Sequence, residues 1–216
     1  MDDKTLTTNQ KKKGVIDDYD DIAREYTEEF FMDTQDEKYI DQFLESLEGL
    51  KVLDVGCGNG RDCKYIFQKG FHVRGIDLSM NMLSIAQELV PDVQFEIMDL
   101  TNITYPENSY DGIISNCSLF HVPAEELPKT LDSFSKVLKP NGKLLLILQE
   151  GLGETMIEEP YRKGVYIYMN YFSVQQLENI LAKHSFEIDN IWKKEISGQS
   201  QLGSKKIIVL SQNKKG

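Results

Sequence analysis

The stretch Val52-Leu53-Asp54-Val55-Gly56-Cys57-Gly58-Asn59-Gly60 decides how the remainder of the chain is read. Lys51 to Val55 is a short, mostly apolar run of the kind a buried parallel strand requires. Three glycines follow at alternate positions, and a helix-like stretch opens near Arg61. A strand that gives way to glycines and then to a helix brings backbone N–H groups to one point at the carboxyl edge of a sheet. A Cβ there would obstruct both the turn and the close approach of a ligand, so residues 54–60 are a candidate ligand site.

The dinucleotide fingerprint G-x-G-x-x-G would put its third glycine at position 61, where Arg61 stands. The spacing is instead G-x-G-x-G, with Asp54 two residues ahead of the first glycine. Asp77 closes the next apolar segment, Phe71 to Ile76, at about the distance where such folds place a ribose-binding carboxylate.

These residues carry a resemblance. Val52–Gly60 resembles the first motif of class I S-adenosylmethionine-dependent methyltransferases, and Gly75-Ile76-Asp77-Leu78-Ser79 resembles the segment that follows it. The likeness continues through Met98-Asp99-Leu100, Tyr110-Asp111-Gly112-Ile113-Ile114-Ser115-Asn116 and Leu138-Lys139-Pro140-Asn141-Gly142-Lys143. It spans roughly residues 50 to 149 and weakens in the final third, where Ser185 stands in place of the glycine the family often has before an aromatic residue.

Bulk properties agree with one soluble globular domain. The chain has 216 residues, enough for a single full core. Its formal charge of −11 argues against nucleic acid as a partner, because phosphate binding requires a basic face. No stretch reaches the length of a membrane span and no signal peptide is visible. The cysteines Cys57, Cys63 and Cys117 lack the spacing of a disulfide framework or zinc site, so no metal and a reducing cytoplasm are expected. Cys57 and Cys63 read as packed thiols, and His72 and His184 as ordinary structural histidines.

Along the chain, residues 1–14 are expected as a disordered tail with Lys11-Lys12-Lys13 solvated. Residues 15–216 form one domain: a helical cap over 15–49, a cofactor-binding core over 50–149, and a substrate loop with a C-terminal hairpin over 150–216. Cap helices are predicted from Val15 to Phe31 and from about Asp36 to Leu47. Strand and helix signals then alternate, as in a parallel sheet covered on both faces. Strands are predicted at 51–55, 71–76, 93–97, 110–115 and 143–148, with helices at 61–69, 79–89 and 124–138. Glu150 to Gly164 reads as a long acidic loop. A short strand (165–169), a helix opened by Ser173 and Gln176, and two strands (186–196 and 206–211) complete the chain. The resemblance supplies the rest of the architecture: an α/β, Rossmann-like, doubly wound seven-stranded mostly parallel sheet with a C-terminal antiparallel hairpin and an N-terminal helical cap.

The resemblance also implies the cofactor, S-adenosyl-L-methionine, and site roles. Gly56, Cys57 and Gly58 would pass close to its methionine and ribose portions, and Asp54 would receive its amino group. Asp77 would accept the ribose hydroxyls, Leu78 and Met82 would pack on the adenine, and Asp99 with Leu100 would bind its edge. Asn116 faces the same crevice, and Tyr19 and Tyr26 of the cap are candidates to touch the cofactor. His121, just past the fourth strand, is a candidate general base. Tyr161, Arg162 and Tyr166 are candidates for the pocket of a small-molecule methyl acceptor. The chain is expected as a monomer or homodimer. Two other functions share these features: a nicotinamide-dependent oxidoreductase, and a non-catalytic S-adenosylmethionine-binding regulatory protein. No Asn-Pro-Pro-Tyr-type motif follows the fourth strand, so amino methylation of DNA bases is not expected.

Overall fold

The computed structural model describes residues 6–195 and 205–215. Its elements run α1 (Thr8–Phe30), α2 (Glu37–Glu45), β1 (Lys51–Val55), α3 (Arg61–Gln68), β2 (His72–Asp77), α4 (Met80–Leu89), β3 (Gln94–Ile97) and β4 (Tyr110–Asn116). Two short 3-10 turns, Leu119–His121 and Ala124–Glu126, lead into α5 (Leu127–Val137). Then come β5 (Leu138–Gln149), β6 (Gly153–Glu158), β7 (Tyr166–Tyr171), α6 (Val174–Lys183), β8 (Phe186–Glu195) and β9 (Lys205–Asn213).

The main sheet has seven strands in the order β3-β2-β1-β4-β5-β9-β8. β1 pairs in parallel with both β2 and β4, β4 with β5, and β2 with β3, whereas β9 is antiparallel to β5 and β8. The turn expected at 198–204 between the last two strands lies outside the described residues. Strand order reverses at β1, and the crevice beyond the carboxyl tips at such a point is where open α/β sheets bind ligands.

Alternation along the central strands explains why both faces are covered. Leu144, Leu146, Leu148, Ile207 and Val209 enter one core with α5 and α6, whereas Leu145, Ile147, Ile208 and Leu210 enter a second core beneath α2. Each fully buried aliphatic side chain contributes roughly 1.5–3 kcal/mol relative to exposure. Asp111 joins three segments at the opposite strand ends: Oδ2 accepts from the Lys51 N–H at 2.9 Å and Oδ1 from Lys139 Nζ at 2.6 Å. Asp36 fixes the start of α2 to the sheet edge by accepting from Lys194 and Lys206 at 2.8 and 2.6 Å.

Two expectations are corrected. The disordered tail over 1–14 fails from Thr8 onward, because Thr7 and Gln10 form a capping box that starts α1 seven residues before Val15. Lys11 and Lys12 then pair with carboxylates on other segments and are not free in solvent. The loop expected over 150–164 contains β6, which pairs with β7 in register from Gly153↔Tyr171 to Glu158↔Tyr166. Its sequence Gly-Glu-Thr-Met-Ile-Glu buries almost nothing, so no apolar alternation announced it. Among the described residues no helix is long and apolar enough to cross a membrane.

Candidate active site

The tips of β1, β2 and β4 end at one edge, and α1 forms the opposite wall. Lys12, Val15, Ile16, Tyr19 and Tyr26 lie on one helical face and border a cavity whose floor includes Asp54, Gly58 and Asp77. The space enclosed, part of it open to solvent, is about 1040 Å³. Asp20 holds α1 in place: Oδ1 accepts from Ser79 Oγ at 2.6 Å and from the Asn81 N–H at 3.0 Å.

The glycine turn works in two ways. A Cβ on Gly56 would lie 2.3 Å from Cβ of Ser118, so that glycine admits the β4 tip and not a ligand. Ser118 Oγ donates to the Val55 carbonyl at 2.6 Å, which locks the two tips together. Gly58, at φ +51°, meets nothing within 4 Å and is the bare stretch of main chain at the cavity. Its N–H donates to Asp77 Oδ2 at 2.9 Å, and the Ser79 N–H donates to Asp77 Oδ1 at 2.9 Å. A carboxylate accepts about four hydrogen bonds, so both oxygens retain capacity toward the cavity. Burial raises the Asp77 pKa, against the pull of the N–H groups of Ser79, Gly58 and Leu78.

Further carboxylates line the same space. Asp54 is buried, accepts from Cys63 Sγ at 3.3 Å, and is driven well above the usual carboxylate range by burial and by nearby Asp62. Asp62 is gripped by Arg61, whose Nε donates to Oδ1 at 2.8 Å, and it accepts from Asn116 Nδ2 at 2.8 Å. That bond turns the Asn116 Oδ1 away, and this buried oxygen has no partner. Asp99 is different: burial alone would raise its pKa, but Lys12 and Thr101 outweigh it and hold the carboxyl low.

At the far end stands a hydrogen-bonded pair. His121 Nδ1 lies 2.9 Å from the Tyr168 carbonyl oxygen and Nε2 lies 3.0 Å from Tyr19 Oη. A carbonyl only accepts, so Nδ1 carries the proton and Nε2 accepts from the Tyr19 hydroxyl. Burial, opposed by the Tyr168 carbonyl, pushes the His121 pKa down to about 4 and keeps the ring neutral. Tyr19 and Tyr26 sit edge to face at 5.7 Å, and burial raises both phenols, Tyr26 to about 12.

The cavity thus brings together Tyr19, Tyr26, Asp54, Gly56, Cys57, Gly58, Asp77, Leu78, Met82, Asp99, Leu100, Asn116 and His121. It does not include Tyr161, Arg162 or Tyr166. Arg162 pairs with Asp21 at 2.6 Å and Asp18 at 3.6 Å, Tyr161 donates to Glu29, and Tyr166 is 57% exposed. These three are expected at the site because residues 150–172 read as a pocket-shaping loop, whereas Tyr161 and Arg162 instead contact Glu29, Asp18 and Asp21 of α1. Sequence reasoning missed Lys12, Arg61 and Asp62. Arg61 and Asp62 directly follow the glycine turn, which was a usable signal, whereas Lys12 lay in a charge run that reads as solvated.

The residues present suit the cofactor the sequence implies. Four carboxylates (Asp54, Asp62, Asp77 and Asp99) face two cations (Lys12 and Arg61), a balance that favours a ligand with net positive charge. The partnerless Asn116 oxygen and the spare capacity of Asp77 call for hydrogen-bond donors, and Gly58 leaves room for close approach.

Comparison with known proteins follows the same line. Residues 52–142 match a family profile described as a methyltransferase domain. Phosphoethanolamine N-methyltransferase 1 of Arabidopsis thaliana is 43% identical over 113 residues, 49% of this chain and 23% of that relative. The chain therefore spans about a quarter of the length of the plant relatives it matches. Among solved structures, 1,6-didemethyltoxoflavin-N1-methyltransferase of Burkholderia thailandensis, with bound 1,6-didemethyltoxoflavin and S-adenosylhomocysteine, superposes with a TM-score of 0.76 at 18% identity. That match covers 100% of this chain and 94% of the other. Magnesium protoporphyrin IX methyltransferase of Synechocystis PCC 6803, with bound S-adenosylmethionine, gives a TM-score of 0.71 at 18% identity over 97% of this chain and 99% of that one. At such identities these structures establish a shared fold.

Proposed function

We propose that this chain is a class I S-adenosylmethionine-dependent methyltransferase, that it methylates a small molecule, and that the accepting atom is an amine nitrogen, a reading supported by the methyltransferase profile over residues 52–142. The observation that carries this function is the cavity itself, a carboxylate-lined space at the switch point of the sheet that ends on a neutral imidazole. Bound there, S-adenosylmethionine would supply a methyl group already activated on a sulfonium. Asp77 and the Gly58 turn would hold its nucleoside, and Asp54 and Asn116 its amino acid end. Ring faces of Tyr19 and Tyr26 would favour a cation by about 0.5–2 kcal/mol.

The amine is supported by the relatives, which include a phosphoethanolamine N-methyltransferase, and by the Tyr19–His121 pair. An incoming N–H can donate to the Tyr19 oxygen while the Tyr19 proton moves to His121 Nε2. Tyr168 fixes the ring for that task through Nδ1. Much of the rate, up to roughly 7–11 kcal/mol, would come from alignment and water exclusion by α1. Three free cysteines among the described residues support a reducing compartment such as the cytoplasm.

The test has two parts. Calorimetry should show S-adenosylhomocysteine binding to the purified chain, with no comparable binding of NADH. Formation of S-adenosylhomocysteine from S-adenosylmethionine should then appear with phosphoethanolamine or ethanolamine and not with matched alcohols or thiols. Turnover confined to an alcohol or thiol would remove the amine, and binding without any turnover would leave a regulatory binder.

A further inference from the structure

Of the three consecutive lysines near the N-terminus, two are engaged. Lys12 Nζ lies 2.6 Å from Asp99 Oδ2, 3.1 Å from Glu126 Oε2 and 3.2 Å from Thr101 Oγ1. Asp99 and Thr101 accept hydrogen bonds from the ammonium, and Glu126 is held beside it as an ion pair. Asp99 and Thr101 follow β3, Glu126 precedes α5, and Lys12 belongs to α1, so one side chain joins three segments at the mouth of the cavity. Lys11, its neighbour, reaches Glu154 at 3.1 Å and lies 4.8 Å from the Tyr168 ring centroid, which ties the same helical turn to the β6–β7 hairpin. Lys13 pairs only within α1, with Asp17, and both are exposed.

Lysines so near a helix N-terminus oppose the helix dipole. They are stable there because of what they meet in the core. Burial works against the charge on Lys12, yet Asp99 and Glu126 more than offset it and raise its pKa, so the ammonium persists. Without it, those two carboxylates and the Asp99 edge of the cavity would lack a countercharge.

We propose that Lys12 latches α1 across the Asp99 end of the cavity and so gates entry and exit of the nucleoside cofactor. This rests on reading the cavity as the S-adenosylmethionine site. A gate has a kinetic signature that a simple binding contact lacks. Opening it speeds association and dissociation together, whereas loss of a ligand contact speeds dissociation alone.

The experiment measures association and dissociation rate constants of S-adenosylhomocysteine on the full chain by surface plasmon resonance. Lys12→Met keeps the apolar stem and removes the charge. Both rate constants should rise about tenfold, the scale of one charged hydrogen bond, with a smaller change in Kd. Glu126→Gln, which leaves Asp99 intact, should raise both by less, and Lys12→Arg should restore values near the parent. Unchanged rates in Lys12→Met, or faster dissociation with unchanged association, would overturn the latch. A parent chain that binds no S-adenosylhomocysteine at all would instead overturn the cofactor reading, and the latch with it.

Discussion

In the proposed cofactor site, Asp77 is the residue on which binding should turn most directly. Removing a part-buried acceptor that would meet two ribose hydroxyls should cost well over the 1.4 kcal/mol that equals a factor of ten. Asp77→Ala should therefore raise the calorimetric Kd for S-adenosylhomocysteine at least tenfold, and an unchanged Kd would remove the ribose assignment. Tyr19→Phe tests the other end: kcat for the amine should fall by about a hundredfold, within the range for positioned proton transfer, while the cofactor Kd moves less than twofold. His121 adds a pH signature. Its pKa is about 6.5 unfolded and about 4 folded, so between those values the unfolded chain holds a proton that the folded chain lacks. Stability then climbs as pH rises through that window, by at most about 3 kcal/mol, and is complete above it. His121→Gln should lose this slope in denaturant midpoints taken at pH 5 and pH 7.5. That Asp77 and His121 border one cavity was legible because strand ends in such sheets converge on a crevice. Lys12 was not, since a lysine run looks the same whether it meets water or a carboxylate on another segment. The Gly56 position was legible for a reason that proved incomplete, because only the structure shows Ser118 pressed against it.

At the scale of elements, the seam between α1 and the β6–β7 hairpin has its own titration. Asp18 is 3% exposed, and neither oxygen has a hydrogen-bond partner. Burial and nearby Glu159 push its pKa to about 6, with Arg162 pulling the other way. Between about 3.8 and about 6 the folded chain keeps a proton that the unfolded chain has released, so stability falls as pH rises across that range. Asp18→Asn should raise the unfolding free energy at pH 8 by roughly 1–3 kcal/mol and leave it unchanged below pH 4. Because this slope opposes that of His121 over nearly the same window, the parent profile should be flatter than that of either variant. Ser185 offers a simpler test, since it follows the α6 cap at φ +66°, where the resembling family often has glycine. Ser185→Gly should stabilise the chain by about 0.5–1 kcal/mol, the left-handed strain less the added freedom of the unfolded state. Sequence pattern placed every strand of the main sheet, because buried parallel strands are apolar runs between turn residues. It missed β6 and the first two turns of α1, where polar sequences are held by main-chain pairing or by a cap and ion pairs instead of by a buried face.

Across the whole molecule, the proposed cofactor site is also a joint. α1 and the sheet edge border one cavity, α1 also meets the β6–β7 hairpin, and ion pairs tie these bodies together: Lys12 with Asp99 and Glu126, Lys11 with Glu154, Arg162 with Asp21. Isolated exposed ion pairs contribute only about 0–1 kcal/mol each, so these bodies are held together weakly compared with the apolar core beneath them. A ligand that fills the cavity touches α1 and the sheet edge and should stabilise the folded chain as a unit. At a hundred times Kd, linkage gives about 2.7 kcal/mol, which for a domain of this size is a shift in Tm of roughly 5–10 °C. Differential scanning calorimetry with and without S-adenosylhomocysteine measures it directly. Asp77→Ala should lose most of the shift at the same ligand concentration, whereas Ser185→Gly, far from the cavity, should keep all of it. Two separated transitions, with the ligand moving only one, would mean that α1 and the hairpin unfold apart from the sheet. In that case the cap could not keep water from a methyl group in transit, and the amine would have to react in an open site.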